Sequence, residues 1–290
     1  MITVRHAIGW AAVLGTLPYL LLKAIWLSGG TIGVTDPALF DDTSVLVLNA
    51  VTAAMDAVAI LVALAFTYSW GLRVPGFFVL VPIWIGTGFL APIAILLPSM
   101  DFGDPQPFLA PWVQPLVYGG FAWQGVMLAI AFVFYASHRW PFVFRLDTAD
   151  VPAAGPVRAV AAHVGALLAA ASGVRFIAQG TFQDILFGAF ALGAAAGTVV
   201  MTNRIRGRFW VPVVVTWVGA GAMFSWSAWA TVNSLGDTFL DGGAPAWPAL
   251  LGTAGGLTIG LTSLVLLSGC GDRRPCTAEF AGHPRTRGGR

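Results

Sequence analysis

The chain has 290 residues, of which 57% are hydrophobic and 10% charged, with a formal net charge of +2 and a mean hydropathy of +0.80. Soluble domains carry about a quarter charged residues, so this composition excludes a soluble globular protein, and the near-neutral balance gives no sign of a nucleic-acid surface. The apolar residues fall in blocks of about twenty, the length that crosses a hydrocarbon core of ~30 Å, which predicts an all-α, polytopic integral membrane protein.

Eight spans follow one another. The first, 7–29, has only Arg5 before it, contains Pro18 and Lys23, and is followed by no small-residue cleavage site. It therefore reads as a helix and not a signal peptide. The others are 45–69 with Asp56, 76–97 with Trp84, 115–137 with Gln124, 158–179 with Arg175, 182–202, 209–231 with Trp217, and 247–268. The ten-residue alternation of barrel strands is missing, and helices satisfy their backbone groups without water. Residues 142–157 read as a cytoplasmic linker and 271–290 as a disordered basic tail that also holds Cys276, close to Cys270.

Orientation comes from the loops. Those after odd-numbered spans hold Asp36, Asp41, Asp42, Asp101, Asp104, Asp237 and Asp241. Those after even-numbered spans hold Arg73, Arg139, Arg145, Arg158, Arg204, Arg206 and Arg208, and the tail adds five more arginines. Because Lys and Arg stay on the cytoplasmic side, the expectation is a multi-pass protein of the cell (cytoplasmic) membrane with both termini in the cytoplasm.

The sequence also resembles itself. From Arg73, RVPGFFVLVPIWIGTGFL aligns without gaps on RGRFWVPVVVTWVGAGAM from Arg206, matching Trp84 with Trp217, Gly86 with Gly219 and Gly88 with Gly221. APWVQPL from Ala110 then matches APAWPAL from Ala244. Two tandem, parallel four-helix repeats are expected, 1–141 and 158–270, related by an axis along the membrane normal. The glycines should let the third and seventh spans approach closely, each tryptophan facing the other half.

Ionisable residues inside spans are costly and are candidates for function. Lys23 lies ~9 Å and Asp56 ~16 Å from the outer ends of their spans, and their side chains lean toward each other. An ion pair, or a shared polar cavity in the outer half, is expected there. Arg175 takes the place of Lys23 in the second repeat, with Ala189 at the counterpart of Asp56. The expected substrate-binding set is Lys23, Asp56, Arg175, Gln124, Trp84 and Trp217, around an outer-facing cavity between the repeats that binds or transports a small solute, ion or lipid-like molecule.

The alternatives are an intramembrane enzyme with Asp56 as acid and Trp84, Trp123 and Trp217 lining its pocket, or a non-catalytic partner or immunity protein. Eight helices in a four-plus-four arrangement resemble haem A synthases, but those need paired intramembrane histidines, and only His163 is even partly embedded here. No hydrolase, metalloprotease, nucleotide-binding or dinucleotide-binding motif occurs. No cofactor and no metal is expected, and the partners are the lipid bilayer, a small molecule or ion, and a second membrane protein in the non-catalytic reading.

Overall fold

The computed structural model describes residues 2–103, 108–236, 238, 240, 243 and 246–271, with backbone only at 2, 3 and 268–271. Asp104, Asp237, Asp241, Cys276, the tail arginines and the side chain of Cys270 lie outside the described residues. Among the described residues there are nine helices, α1 (Ile2–Leu27), α2 (Thr43–Thr67), α3 (Gly76–Leu96), α4 (Val113–Arg139), α5 (Pro141–Arg145), α6 (Pro156–Ile177), α7 (Phe182–Thr202), α8 (Trp210–Leu235) and α9 (Trp247–Gly271). All but α5 are long and apolar enough to cross a membrane, which makes the chain a multi-pass membrane protein. They match the eight expected spans. The largest differences are at the start of α1, which begins at Ile2, and at the end of α8, which continues to Leu235. Hydropathy falls at an interface before the helical bonding pattern does.

Large apolar side chains cover the outside of the bundle, Phe77, Phe78, Leu167 and Leu261 among them, as a hydrocarbon solvent allows. Polar caps set the helix starts: the Asp42 carboxylate accepts the Ser44 amide at α2, and the Thr181 hydroxyl accepts the Asp184 amide at α7. Helices α1–α4 pack together, α6–α9 pack together, and the two groups meet chiefly along α3 and α8. Their cores differ in grain. The first is built from bulky residues such as Phe66, Ile83, Leu128 and Tyr135. The second is built largely from alanines, including Ala166, Ala169, Ala191, Ala194 and Ala220, which let its helices approach closely.

At the α3–α8 seam, a Cβ on Gly88 would lie 2.1 Å from the Gly221 carbonyl oxygen. Ser225 Oγ donates across the seam to the Ile85 carbonyl at 3.0 Å. The two tryptophans are exchanged between the halves. Trp84 of α3 joins the second core and stacks on Phe224 at 5.0 Å, while Trp217 of α8 stacks on Phe132 at 5.5 Å against the first. Only part of the glycine expectation holds: Gly219 packs against Phe190 and Ala194 of α7 instead of α3, and Gly86 has open space around its Cβ position.

At the end carrying the arginine-rich connections, Arg139 donates to the Gly71 and Val74 carbonyls at 3.1 and 2.7 Å. Arg5 donates to the Phe66 carbonyl at the end of α2, and Arg204 to the Ala149 carbonyl. Arg5 thus caps the end of α2, while Arg139 and Arg204 tie down the connections they face. The segment expected as a linker is packed: Val151 is fully buried with Met201 and Phe209. Asp147 Oδ1 accepts the Ala149 amide at 2.9 Å and the Gly207 amide at 3.2 Å, tying this segment to the α7–α8 connection. Those amides hold the Asp147 carboxyl below its usual range.

Two outcomes are expected. Gly88→Ala should destabilise the protein by at least about 1–3 kcal/mol, the cost of overpacking a close contact, while Gly86→Ala should not, as thermal unfolding in detergent will show. Since the Asp147 carboxyl titrates lower when folded than when unfolded, its contribution should persist from neutral pH through the usual carboxylate value of ~3.9 and fade only below it. Hydrogen-exchange protection of Ala149 and Gly207 checks this, and Asp147→Ala should lower that protection at pH 7.

Candidate functional site

Two places hold charge within the helical bundles. In the first, Lys23 projects from α1 and Asp56 from α2, with Lys23 Nζ 2.6 Å from Asp56 Oδ2. Lys23 is 0% exposed and Asp56 6%. The ammonium also lies 3.7 Å from the centroid of the Tyr19 ring, a cation–π contact, and Tyr19 packs edge-on to Phe121 at 5.0 Å. It is the one ion pair among the described residues. Asn49 and Thr52, the neutral candidates nearest in sequence, instead donate to Val45 and Leu48 carbonyls of their own helix.

A local lid closes this pair. The loop after α1 meets the segment before α4 through Thr35 N–H to Phe108 O and Ala110 N–H to Gly33 O, each at 2.9 Å. Gly33 turns there at φ +76°, and a side chain on it would strike Val113 and Trp112. Below the lid, Leu22, Trp26 and Val113 form an apolar cluster with Val34 and Phe40. The Trp26 indole N–H fixes the loop by donating to the Ile32 carbonyl at 2.9 Å. Lys23 therefore sits one turn beneath an apolar cap.

The second place is the end of the α6–α9 bundle where α6 stops and α7 begins. A cavity of about 380 Å³ opens there. Arg175, Gln183 and Asp184 stand at its rim, Ser227 and Asn233 contribute neutral polar groups, and Phe187, Met223, Trp226 and Ala249 form its apolar wall. Arg175 is exposed and has no carboxylate within 4 Å among the described residues. Its guanidinium lies 5.9 Å from the Phe176 ring and 6.0 Å from the Trp247 ring. Asp184 Oδ2 accepts the Thr181 hydroxyl at 2.5 Å. Asn233 donates to the Trp229 carbonyl at 2.7 Å and accepts from the Thr238 hydroxyl at 2.5 Å. The indole N–H of Trp226 has no acceptor among the described residues.

The structure thus brings together Lys23 and Asp56 of the expected set and leaves the other four apart. Arg175 lines the cavity of the second bundle, which Lys23 and Asp56 do not reach. Gln124 is buried on α4 beside Gly15, two turns along α1 from Lys23, and no hydrogen bond among the described residues joins it to the pair. Trp84 and Trp217 border a void of about 20 Å³ near Gly260, room for little more than one water, and Trp123 is exposed on α4 with its N–H on the Ala11 carbonyl. These three indoles do not gather around Asp56. This open cavity with several polar residues lies inside the second bundle and not between the two halves.

The sequence singles out none of Phe187, Met223, Trp226 and Asn233; Trp226 and Asn233 lie in a run of small and polar residues, FSWSAWATVNS, and Phe187 and Met223 carry no such signal. His163 hydrogen-bonds the Ala159 carbonyl at 2.7 Å and faces Asn203. No group of three or more His, Cys, Asp or Glu side chains that could hold a metal occurs among the described residues. Comparisons with protein-family models, curated proteins and solved structures find nothing that matches this chain.

Removing one member of the buried pair leaves an uncompensated charge, which costs about 3–5 kcal/mol, whereas replacing both with apolar residues is often neutral. Lys23→Met and Asp56→Leu should each lower thermal stability sharply, and the double variant should recover most of it. A double-mutant cycle in detergent measures the coupling.

Proposed function

We propose that this chain is a cytoplasmic-membrane protein, with both termini inside, that binds a small amphiphilic molecule in the α6–α9 cavity from the outer side. The observation that carries the reading is the cavity itself. It is of ligand size and combines a charged side chain with no carboxylate partner among the described residues, aromatic walls and neutral polar groups. The acidic loops, with Asp36, Asp41, Asp42 and Asp101, share the cavity's end of the bundle, and the positive-inside rule assigns that end to the outside.

Tandem duplication is part of this proposal. Trp84 and Trp217, equivalent in the internal alignment, make reciprocal insertions, and Gly88 meets its counterpart Gly221 at the crossing. In this reading the halves have diverged, one closing its charge with Asp56 and the other leaving Arg175 open. The interlocked seam argues against rocking of one half on the other, so the reading is binding within one bundle, and movement of the ligand would pass along α6–α9.

Photoactivatable ten-carbon probes with alcohol and carboxylate heads test this in nanodiscs. Labelling should concentrate on peptides holding Phe187 and Trp226. It should be largely lost in Ala249→Trp, which fills the cavity, and be retained in the Lys23→Met/Asp56→Leu double variant. Labelling spread evenly over lipid-facing helices, or unaffected by Ala249→Trp, would overturn the reading.

A further inference from the structure

The cavity wall holds one cation and one anion among the described residues, Arg175 and Asp184, and the two are engaged differently. Asp184 is the acidic group there, and it is engaged locally: its carboxylate accepts the Thr181 hydroxyl at 2.5 Å, and its own amide donates to Thr181 Oγ1 at 3.1 Å. It stands in the first turn of α7, where the helix dipole favours a negative charge. Asn233 has both ends of its amide occupied by Trp229 and Thr238. Arg175 is different. No carboxylate among the described residues lies within 4 Å of it, and its contacts are the ring faces of Phe176 and Trp247.

At 5.9 and 6.0 Å from the ring centroids, and with no hydrogen bond of its own among the described residues, the guanidinium keeps its in-plane N–H fork available, and such a fork matches carboxylate and phosphate oxygens two at a time. The cavity's volume of about 380 Å³ lies near the lower end of ligand pockets, about 300–1,000 Å³, which suits one chain and not two. Phe187, Met223 and Trp226 supply an apolar surface for it.

We infer that the ligand of this cavity is a single-tailed anionic amphiphile, a carboxylate or phosphate monoester whose head pairs with Arg175 and whose tail lies against Phe187 and Trp226. The inference rests on the cavity-binding reading above and adds its charge and its size. The contrast with the first bundle is direct: there Asp56 already occupies the position of the anion, and the site is closed.

Four photoactivatable decyl probes separate the possibilities: decanoate, decyl phosphate, decanol and decylamine. In the native protein the two anions should label the cavity about tenfold or more above decanol, as expected for a charge-assisted pair, and decylamine should label least. Arg175→Gln should bring the anions down to the decanol level while decanol labelling stays unchanged, and Arg175→Lys should keep part of the preference. Thermal unfolding of each variant confirms that it is folded.

Equal labelling by acid and alcohol in the native protein, or an anion preference that survives Arg175→Gln, would overturn the charge assignment. Failure of every probe to label the cavity would instead overturn the cavity reading itself. A competition arm with two-chain phosphatidic acid in the nanodisc tests the source: displacement of decanoate would overturn the single-tailed assignment, and no displacement supports it.

Discussion

Hydrocarbon offers no hydrogen bonds, so every polar group carried into it must find its partner within the protein. Most of the intramembrane hydroxyls and amides here solve this on their own helix. Thr16, Thr67, Thr87, Thr198, Thr253 and Thr262 each donate to the carbonyl four residues earlier, as do Asn49 and Asn233. Such bonds ask nothing of neighbouring helices. They leave association to close packing, and the exceptions stand out: Ser225 crosses the seam, and Lys23 and Asp56 need each other.

The two halves answer the same constraint differently. In the first, bulky side chains and a loop lid surround a closed ion pair that joins α2 to α1, with the cation neutralised where it lies. In the second, alanines draw the helices together and the bundle opens at one end, where the cation meets no acid among the described residues. A charge satisfied from within is a structural element. A charge left for something outside the chain is what a binding site requires, and for this reason the open cavity, and not the deeper pair, carries the functional reading.

Much of the architecture was legible in the sequence because hydropathy acts on whole helices. Span count, approximate ends and the sign sorting of the loops all come from sums over many residues. The Lys23–Asp56 contact was legible too, since helix rise and the lean of the side chains constrain two opposed helices strongly. What could not be read was how the helices are grouped around space. Arg175 holds the place of Lys23 in the first span of the second half, which on the sequence alone puts the two in one cavity, but the α3–α8 seam lies between the bundles. Gly86 and Gly219 show the same limit at finer scale, since a small residue permits close approach without saying which neighbour takes it. The cavity is lined by residues of α6, α7, α8 and α9 together, and no local run of residues encodes that.

The exchange of tryptophans bears on how the chain is made. Synthesis and membrane insertion proceed from the N-terminus, so α1–α4 enter the bilayer before α8 and α9 exist. Until those helices arrive, Trp84 has lipid where Phe224 and Gly260 belong, and Phe132 lacks the ring that covers it. The first half on its own therefore presents an unfinished surface, and it takes both α8 and α9 to complete it.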